Sequence, residues 1–263
     1  MTAGALPDVV DGGVAIFIFA VGVGMVAVHT ALVALAARHT TPALRRPHLL
    51  PGLAGAYLAT WFAVAMAVGN LATGASESDG PRLWLSFLVA FVPMALAITL
   101  LFASKAVRAV NAAMPAHWLI WAQTYRVAGL MFLFPFLYYG VVPAAFAVPA
   151  GLGDAATGLL APLVGRAVAR GRPHAIRWAV AWNVFGVLDL IVAPAAAILS
   201  QAQVLDVYPM SLVPLFIGPP LGILTHVYSL RNLAVLSSRV PDAARRPAGT
   251  PRATSSGGTL ETA

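Results

Sequence analysis

The chain has 263 residues, 60% of them hydrophobic and only 10% charged, with a formal net charge of +7. Soluble domains carry about 25% charged residues, so a mean hydropathy of +0.84 means that most of this surface meets lipid. The absence of cysteine excludes disulfides, thiolate metal sites and a cysteine nucleophile.

A hydrocarbon core of roughly 30 Å is crossed by about 20 apolar residues. Runs of that kind fall at about 13–37, 50–72, 83–104, 118–140, 144–165, 178–200 and 212–235. They predict an all-α, polytopic membrane bundle of seven transmembrane helices. The fifth run is the most broken, by Pro143, Pro149, Gly151 and Gly153. A short external N-terminus (1–12) precedes the membrane domain (13–236). The remainder (237–263) is rich in Pro, Gly, Ser, Thr and Ala and reads as a disordered cytoplasmic tail. Spans one to three do not repeat in spans five to seven.

Orientation follows from charge. Arg38, Arg45 and Arg46, then Lys105 and Arg108, then Arg166, Arg170, Arg172 and Arg177, and last Arg231, Arg239, Arg245, Arg246 and Arg252 fall on one side of the seven runs. Asp8, Asp11, Glu77, Asp79 and Asp206 fall on the other, with Arg82. Lys and Arg stay cytoplasmic, which places the N-terminus outside and the C-terminus inside, in a bacterial inner membrane. The same alternation argues against nucleic acid as a partner, since the positive charge faces a bilayer. The N-terminus has no basic n-region, so no cleaved signal peptide is expected.

Ionisable groups within spans face the bundle interior and mark functional sites. Here they are Arg126, Asp154, Asp189, His29 and His226, accompanied by Gln123, Tyr125 and Asn183. At about 1.5 Å of rise per residue, Arg126 and Asp189 lie at similar depths, roughly 12 and 16 Å from the cytoplasmic ends of their spans. They are candidates for a buried ion pair; the alternative is an Arg126 that snorkels to the headgroups past Gln123 and Tyr125. Asp154 follows "PAGLG", a poor helix interior. It reads either as the N-cap of a helix over about 155–170 or as a carboxylate lining a broken helix. Because Cβ bonds tilt toward a helix N-terminus, it is expected to lean outward, away from Arg126.

His29 and His226 occupy the inner halves of the first and last runs, where two imidazoles could ligate a haem b iron. A hydrogen-bonded histidine between helices is the simpler state. Gly151 and Gly153, with Gly218, Pro219 and Pro220 of "GPPLG", are hinge candidates. No metal-binding His pair at helical spacing occurs. The sole lysine, Lys105, is not in the last run, which excludes a retinal Schiff base. Residues 153–166, "GDAATGLLAPLVGR", resemble the Gly-Asp and Gly-Arg elements of membrane polyprenol and phytol kinases. That resemblance implies chemistry on a phosphorylated lipid head group, but the second acidic group needed for Mg²⁺ is missing nearby. Three functions stay open: a permease for a small solute or ion, with proton coupling as one mode; a ligand- or haem-binding sensor without catalysis; and a head-group enzyme. The bilayer is the one partner the composition implies; a homo-oligomer is compatible with it.

Overall fold

The computed structural model describes residues 12–40, 49–72, 80–134, 136–137, 140, 142–202, 204 and 208–244. Asp8, Asp11, Arg45, Arg46, Glu77, Asp79, Asp206, Arg245, Arg246 and Arg252 lie outside the described residues. Within them the chain is helical, without strands: α1 (Gly12–Arg38), α2 (Leu49–Ala72), α3 (Gly80–Ala103), α4 (Lys105–Ala113), α5 (Ala116–Ala122), a 3₁₀ helix (Gln123–Phe132), α6 (Ala144–Ala169), α7 (Ala175–Leu199), a π turn (Val213–Ile217) and α8 (Pro219–Ala244). Among the described residues six segments are long and apolar enough to cross a membrane: Gly12–Arg38, Leu49–Leu71, Trp84–Ala103, Ala144–Ala169, Ala175–Leu199 and Val213–Ser238.

The fourth expected run is not one of these six. Its first part divides into α5 and the 3₁₀ helix, and burial explains the change of geometry. The buried residues of Gln123–Phe132 are Gln123, Arg126, Gly129 and Phe132, a strict period of three. A 3₁₀ helix stacks such residues on one face. An α-helix, at 3.6 residues per turn, would carry Phe132 about half a turn away from Gln123.

The fifth run is corrected in the opposite direction. α6 is continuous through Pro149 and Pro162, so Asp154 neither caps a helix nor lines a broken one. Water offers unfolded backbone no alternative partner inside a bilayer, so the helix persists through residues that would end it elsewhere. At the other end of the chain α8 runs to Ala244; the tail expected from 237 therefore starts as helix. "GPPLG" does open the chain. Gly218 separates the π turn from α8, with its N–H bonded to the Val213 carbonyl at 2.8 Å. Pro219 and Pro220 then fill the first turn, where missing N–H donors cost little.

The π turn with α8 forms the central element, 67% of the apolar window of Val213–Ser238 being buried against 17% for α1. One end of the bundle is closed by Ala36 and Ala37 of α1, Val110 of α4, Met114 and Leu119, with Leu50 of α2 and Tyr228 of α8 packed on them. At the other end Ile18, Val142, Phe146, Val204 and Leu215 join one larger core. α3 carries Pro93 inside it. The missing N–H orphans the Val89 carbonyl one turn back, and Trp61 Nε1 of α2 donates to that oxygen at 2.8 Å.

Candidate functional site

The polar residues of the interior converge on Arg126, whose side chain is 1% exposed. A guanidinium keeps its proton and has five N–H donors, so burial demands acceptors on every side. Nε donates to Asp154 Oδ1 at 2.6 Å. Nη2 donates to Asp189 Oδ2. Nη1 meets the Gly186 carbonyl and His226 Nε2, each at 3.1 Å. Two carboxylates around one guanidinium leave one negative charge uncompensated when both are ionised.

The expected Arg126–Asp189 pair is therefore present, and Arg126 does not snorkel. The expectation for Asp154 is corrected: it faces Arg126 rather than leaning away. The tilt of a Cβ bond displaces a side chain by a fraction of a turn. Packing has moved the two backbones further than that, because glycines let them approach. A Cβ on Gly129 of the 3₁₀ helix would overlap Asp154, and one on Gly158 of α6 would lie 2.8 Å from Val127 Cγ2. In the same way Gly153 clears space for Asp189, and a Cβ on Gly186 would fall against His226 and 3.1 Å from Arg126 Nη1. Gly151 contacts Leu133. Small residues at helix interfaces perform this task in membranes; Gly151 and Gly153 sit inside a continuous helix and pack closely there.

The hydrogen bonds fix the state of His226. Arg126 can only donate, so Nε2 accepts and the ring is neutral, with its proton on Nδ1. Nδ1–H donates to Asn183 Oδ1 at 2.9 Å, and Asn183 Nδ2 donates to the Ala179 carbonyl at 2.7 Å. The relay Arg126–His226–Asn183 was not legible as a unit, since its members sit on three elements with no local spacing between them. His29 Nδ1 lies 2.8 Å from the Met25 carbonyl and Nε2 lies 2.9 Å from Thr225 Oγ1. All four ring nitrogens of His29 and His226 thus have protein partners, and no nitrogen is turned to an iron. These bonds are those of the simpler state, a hydrogen-bonded histidine between helices.

Gln123 Nε2 donates to the Gly222 carbonyl at 3.0 Å, and the Tyr125 hydroxyl to the Ile217 carbonyl at 2.8 Å. Both tie the 3₁₀ helix to the opened start of α8. The kinase-like stretch fares differently. Asp154 and Arg166 are 12 residues apart on one continuous helix, about 18 Å at the α-helical rise, too far to hold one phosphate. Asp154 Oδ1 is also committed to Arg126.

A narrow cleft of ≈ 30 Å³ reaches this cluster between the first half of α1, the 3₁₀ helix, α6 and the π turn. Phe17, Ile18 and Val21 of α1, Phe132, and Ile217 form its walls, and Arg126 and Asp154 lie at its base. The Asp154 side chain is 16% exposed, and among the described residues its Oδ2 accepts no hydrogen bond. The Asp189 side chain is 9% exposed. The arrangement can exchange a positive charge at Asp154 while Asp189 continues to neutralise Arg126.

No curated protein and no solved structure matches the chain. Residues 82–234, which hold α3 through most of α8 and all three charged groups of the cluster, match a family described as a domain of unknown function (DUF8737), and the chain belongs to that family.

Proposed function

We propose that the protein is a multi-pass permease of the bacterial inner membrane for a small solute or ion, built around Asp154, Arg126 and Asp189. The observation that carries the reading is the surplus carboxylate: one guanidinium, two aspartates, and a cleft that reaches the more exposed of the two. A purely structural ion pair needs one acid, and an extra buried negative charge costs several kcal/mol unless something neutralises it. Exchange of that charge is what a transport site requires.

Seven crossings and an external N-terminus complete the reading. Seven α-helical residues in α5 and ten 3₁₀ residues after them rise about 10 and 20 Å. Together they match the roughly 30 Å of hydrocarbon and return the chain to the end where α6 begins. α4 lies between crossings, with Ser104 as its N-cap accepting from Val107 N at 3.3 Å. Arg38, Lys105, Arg108, Arg166, Arg170, Arg172 and Arg177 then share the cytoplasmic face, and the cleft opens outside.

The test is uptake into proteoliposomes from a panel of labelled inorganic cations, amines, amino acids and sugars. Accumulation of at least one member by wild type and its loss in Asp154→Asn is the expected result. Equal uptake by both proteins, or none by wild type across the panel, removes the permease reading.

A further inference from the structure

Resting on the permease reading, we propose that the ion exchanged at Asp154 is a proton, and that its route to the cytoplasmic face is the seam between α8 and residues 111–126. The outer half of the argument is size and ligand chemistry. A cavity needs about 10–15 Å³ per water, so a cleft of ≈ 30 Å³ admits about two. A metal cation needs several oxygens, and among the described residues this cleft offers the uncommitted oxygen of Asp154 among largely apolar walls. A proton delivered by water needs only that oxygen.

The inner half is a file of buried polar groups. Gly222, Thr225, His226, Ser229 and Asn232 fall within about a third of the circumference of α8 at 100° per residue. Thr225, His226, Ser229 and Asn232 are all at least nine-tenths buried, as are Gln123, Arg126 and Asn111 opposite them. The partners across the seam are Gln123 with Gly222, Arg126 with His226, and the Asn111 and Met114 carbonyls with Asn232 Nδ2 at 2.5 and 2.6 Å. Along the file Gln123 Oε1, Ser229 Oγ and Asn111 Oδ1 are buried without a hydrogen-bond partner. An orphaned buried group of this kind costs about 1–3 kcal/mol, and internal water is what ordinarily satisfies it. Three of them in sequence describe a wet path.

Arg126 stands between the two halves, with Asp154 on the cleft side and His226 on the seam side. The charged and titratable groups around Asp154 are Arg126 and Tyr125 from the 3₁₀ helix, Asp189 from α7 and His226 from α8. In the step itself, hydronium in the cleft gives its proton to Asp154 Oδ2 and leaves as water. The carboxyl is then neutral, its hold on Arg126 Nε is weakened, and Asp189 retains the guanidinium, which keeps all its protons. Movement of Arg126 toward Asp189 uncovers the seam. The proton then passes from Asp154 to seam water and out past Ser229 and Asn111, restoring the carboxylate and its ion pair.

The chain has no native cysteine, so Ser229→Cys gives a near-isosteric reporter in the middle of the file. Wild type, Asp154→Asn and Ser229→Cys are reconstituted and given pH, Na⁺ and K⁺ jumps on a solid-supported membrane electrode. The pH jump is expected to produce current in wild type and none in Asp154→Asn. A small hydrophilic thiol reagent is expected to label Ser229→Cys and to abolish its sustained current while sparing the initial fast charge displacement. An unreactive Ser229→Cys, or a labelled one with undiminished current, overturns the seam. Asp154-dependent current on Na⁺ or K⁺ jumps with none on pH jumps overturns the proton and leaves the permease reading standing. No current with any ion, together with no uptake in the solute panel, overturns both.

Discussion

The first three helices and the segment from 111 to 232 are built on different principles. Among the described residues of α1 to α3 the one fully buried polar side chain is Ser86; between 111 and 232 there are ten, including Arg126. The first region is held by apolar and aromatic packing, such as the rings of Trp61 and Phe62 of α2, each 5.2 Å from Phe216. The second is held by a charge cluster and its hydrogen bonds. Lipid tails are as apolar as leucine side chains, so packing, with single hydrogen bonds such as that from Trp61 to the Val89 carbonyl, is what separates the helices of the first region from the bilayer. A charge cluster has no such alternative partner in lipid. The difference teaches which half is specific: the family match begins at residue 82 and so omits α1 and α2 while keeping every member of the cluster.

The largest expected effect comes from breaking the cluster. Arg126→Leu leaves two buried carboxylates without their cation, and melting in detergent should show a loss of about 3–5 kcal/mol, the usual cost of removing one member of a buried pair. Adding Asp154→Asn and Asp189→Asn to it should recover most of that loss, because no charge then remains to be neutralised. A triple variant as unstable as the single one would mean that the cluster is not the source of specificity in this half.

Glycines sharpen the comparison next. Gly186→Ala pushes a methyl into His226 and Arg126 and should cost about 1–3 kcal/mol, as overpacking does. Gly24→Ala and Gly52→Ala, in α1 and α2, meet nothing within 4 Å and should stabilise by roughly 0.5–1 kcal/mol through helix propensity. Opposite signs in the two regions, read by the same melting assay, are the expected outcome. Equal effects would erase the distinction.

How far these features could be read from the sequence divides along the same line. Hydropathy located six spans to within about four residues at each end, because a lipid-facing helix advertises itself by composition alone. Matching depth brought Arg126 and Asp189 together, since two elements crossing one slab share a coordinate. Asp154 escaped because "PAGLG" was weighed as it would be in water, where glycine and proline end helices. In the bilayer the same residues are the means of close approach, and Asp154 arrives at Arg126 because Gly129 and Gly158 let α6 in. The 3₁₀ helix was visible in principle: Gln123, Arg126, Gly129 and Phe132 repeat every third residue, a period that belongs to neither an α-helix nor a strand. The His226–Asn183 bond had no such signal, since it depends on which helices are neighbours.

A moderate effect is expected at Trp61, where the first region must satisfy a carbonyl that Pro93 orphaned. Trp61→Phe keeps the ring packing and removes the donor to the Val89 carbonyl, which should cost about 1–2 kcal/mol. Pro93→Ala restores a backbone N–H to that carbonyl. In the double variant the penalty of Trp61→Phe should fall toward zero, a coupling that a double-mutant cycle reads directly. Additive losses would mean that Trp61 acts through its packing alone.

The smallest expected effect tests whether the two regions function as one. Besides its packing, α1 meets the cleft and the polar file at two levels: Phe17, Ile18 and Val21 wall the cleft, and His29 bonds Thr225. The two places are separated by at least eight residues, about 12 Å along the helix. Thr225 carries a single hydroxyl proton. If it goes to the Leu221 carbonyl, 2.8 Å away, His29 must donate through both nitrogens; if it turns to His29, that carbonyl loses a bond. His29→Phe removes this competition and leaves the Thr225 hydroxyl to Leu221. The loss should be no more than about 1 kcal/mol, the net worth of a hydrogen bond whose partner finds another. Asp154-dependent uptake should be unchanged, because the cleft walls are a full two turns away. Substitution of Ile18 by Trp, in contrast, should fill the cleft and abolish that uptake, at the roughly 1–3 kcal/mol that overpacking a buried position costs. If His29→Phe abolished uptake while Ile18→Trp did not, α1 would belong to the transport machinery through its inner half, and the cleft would not be the way in.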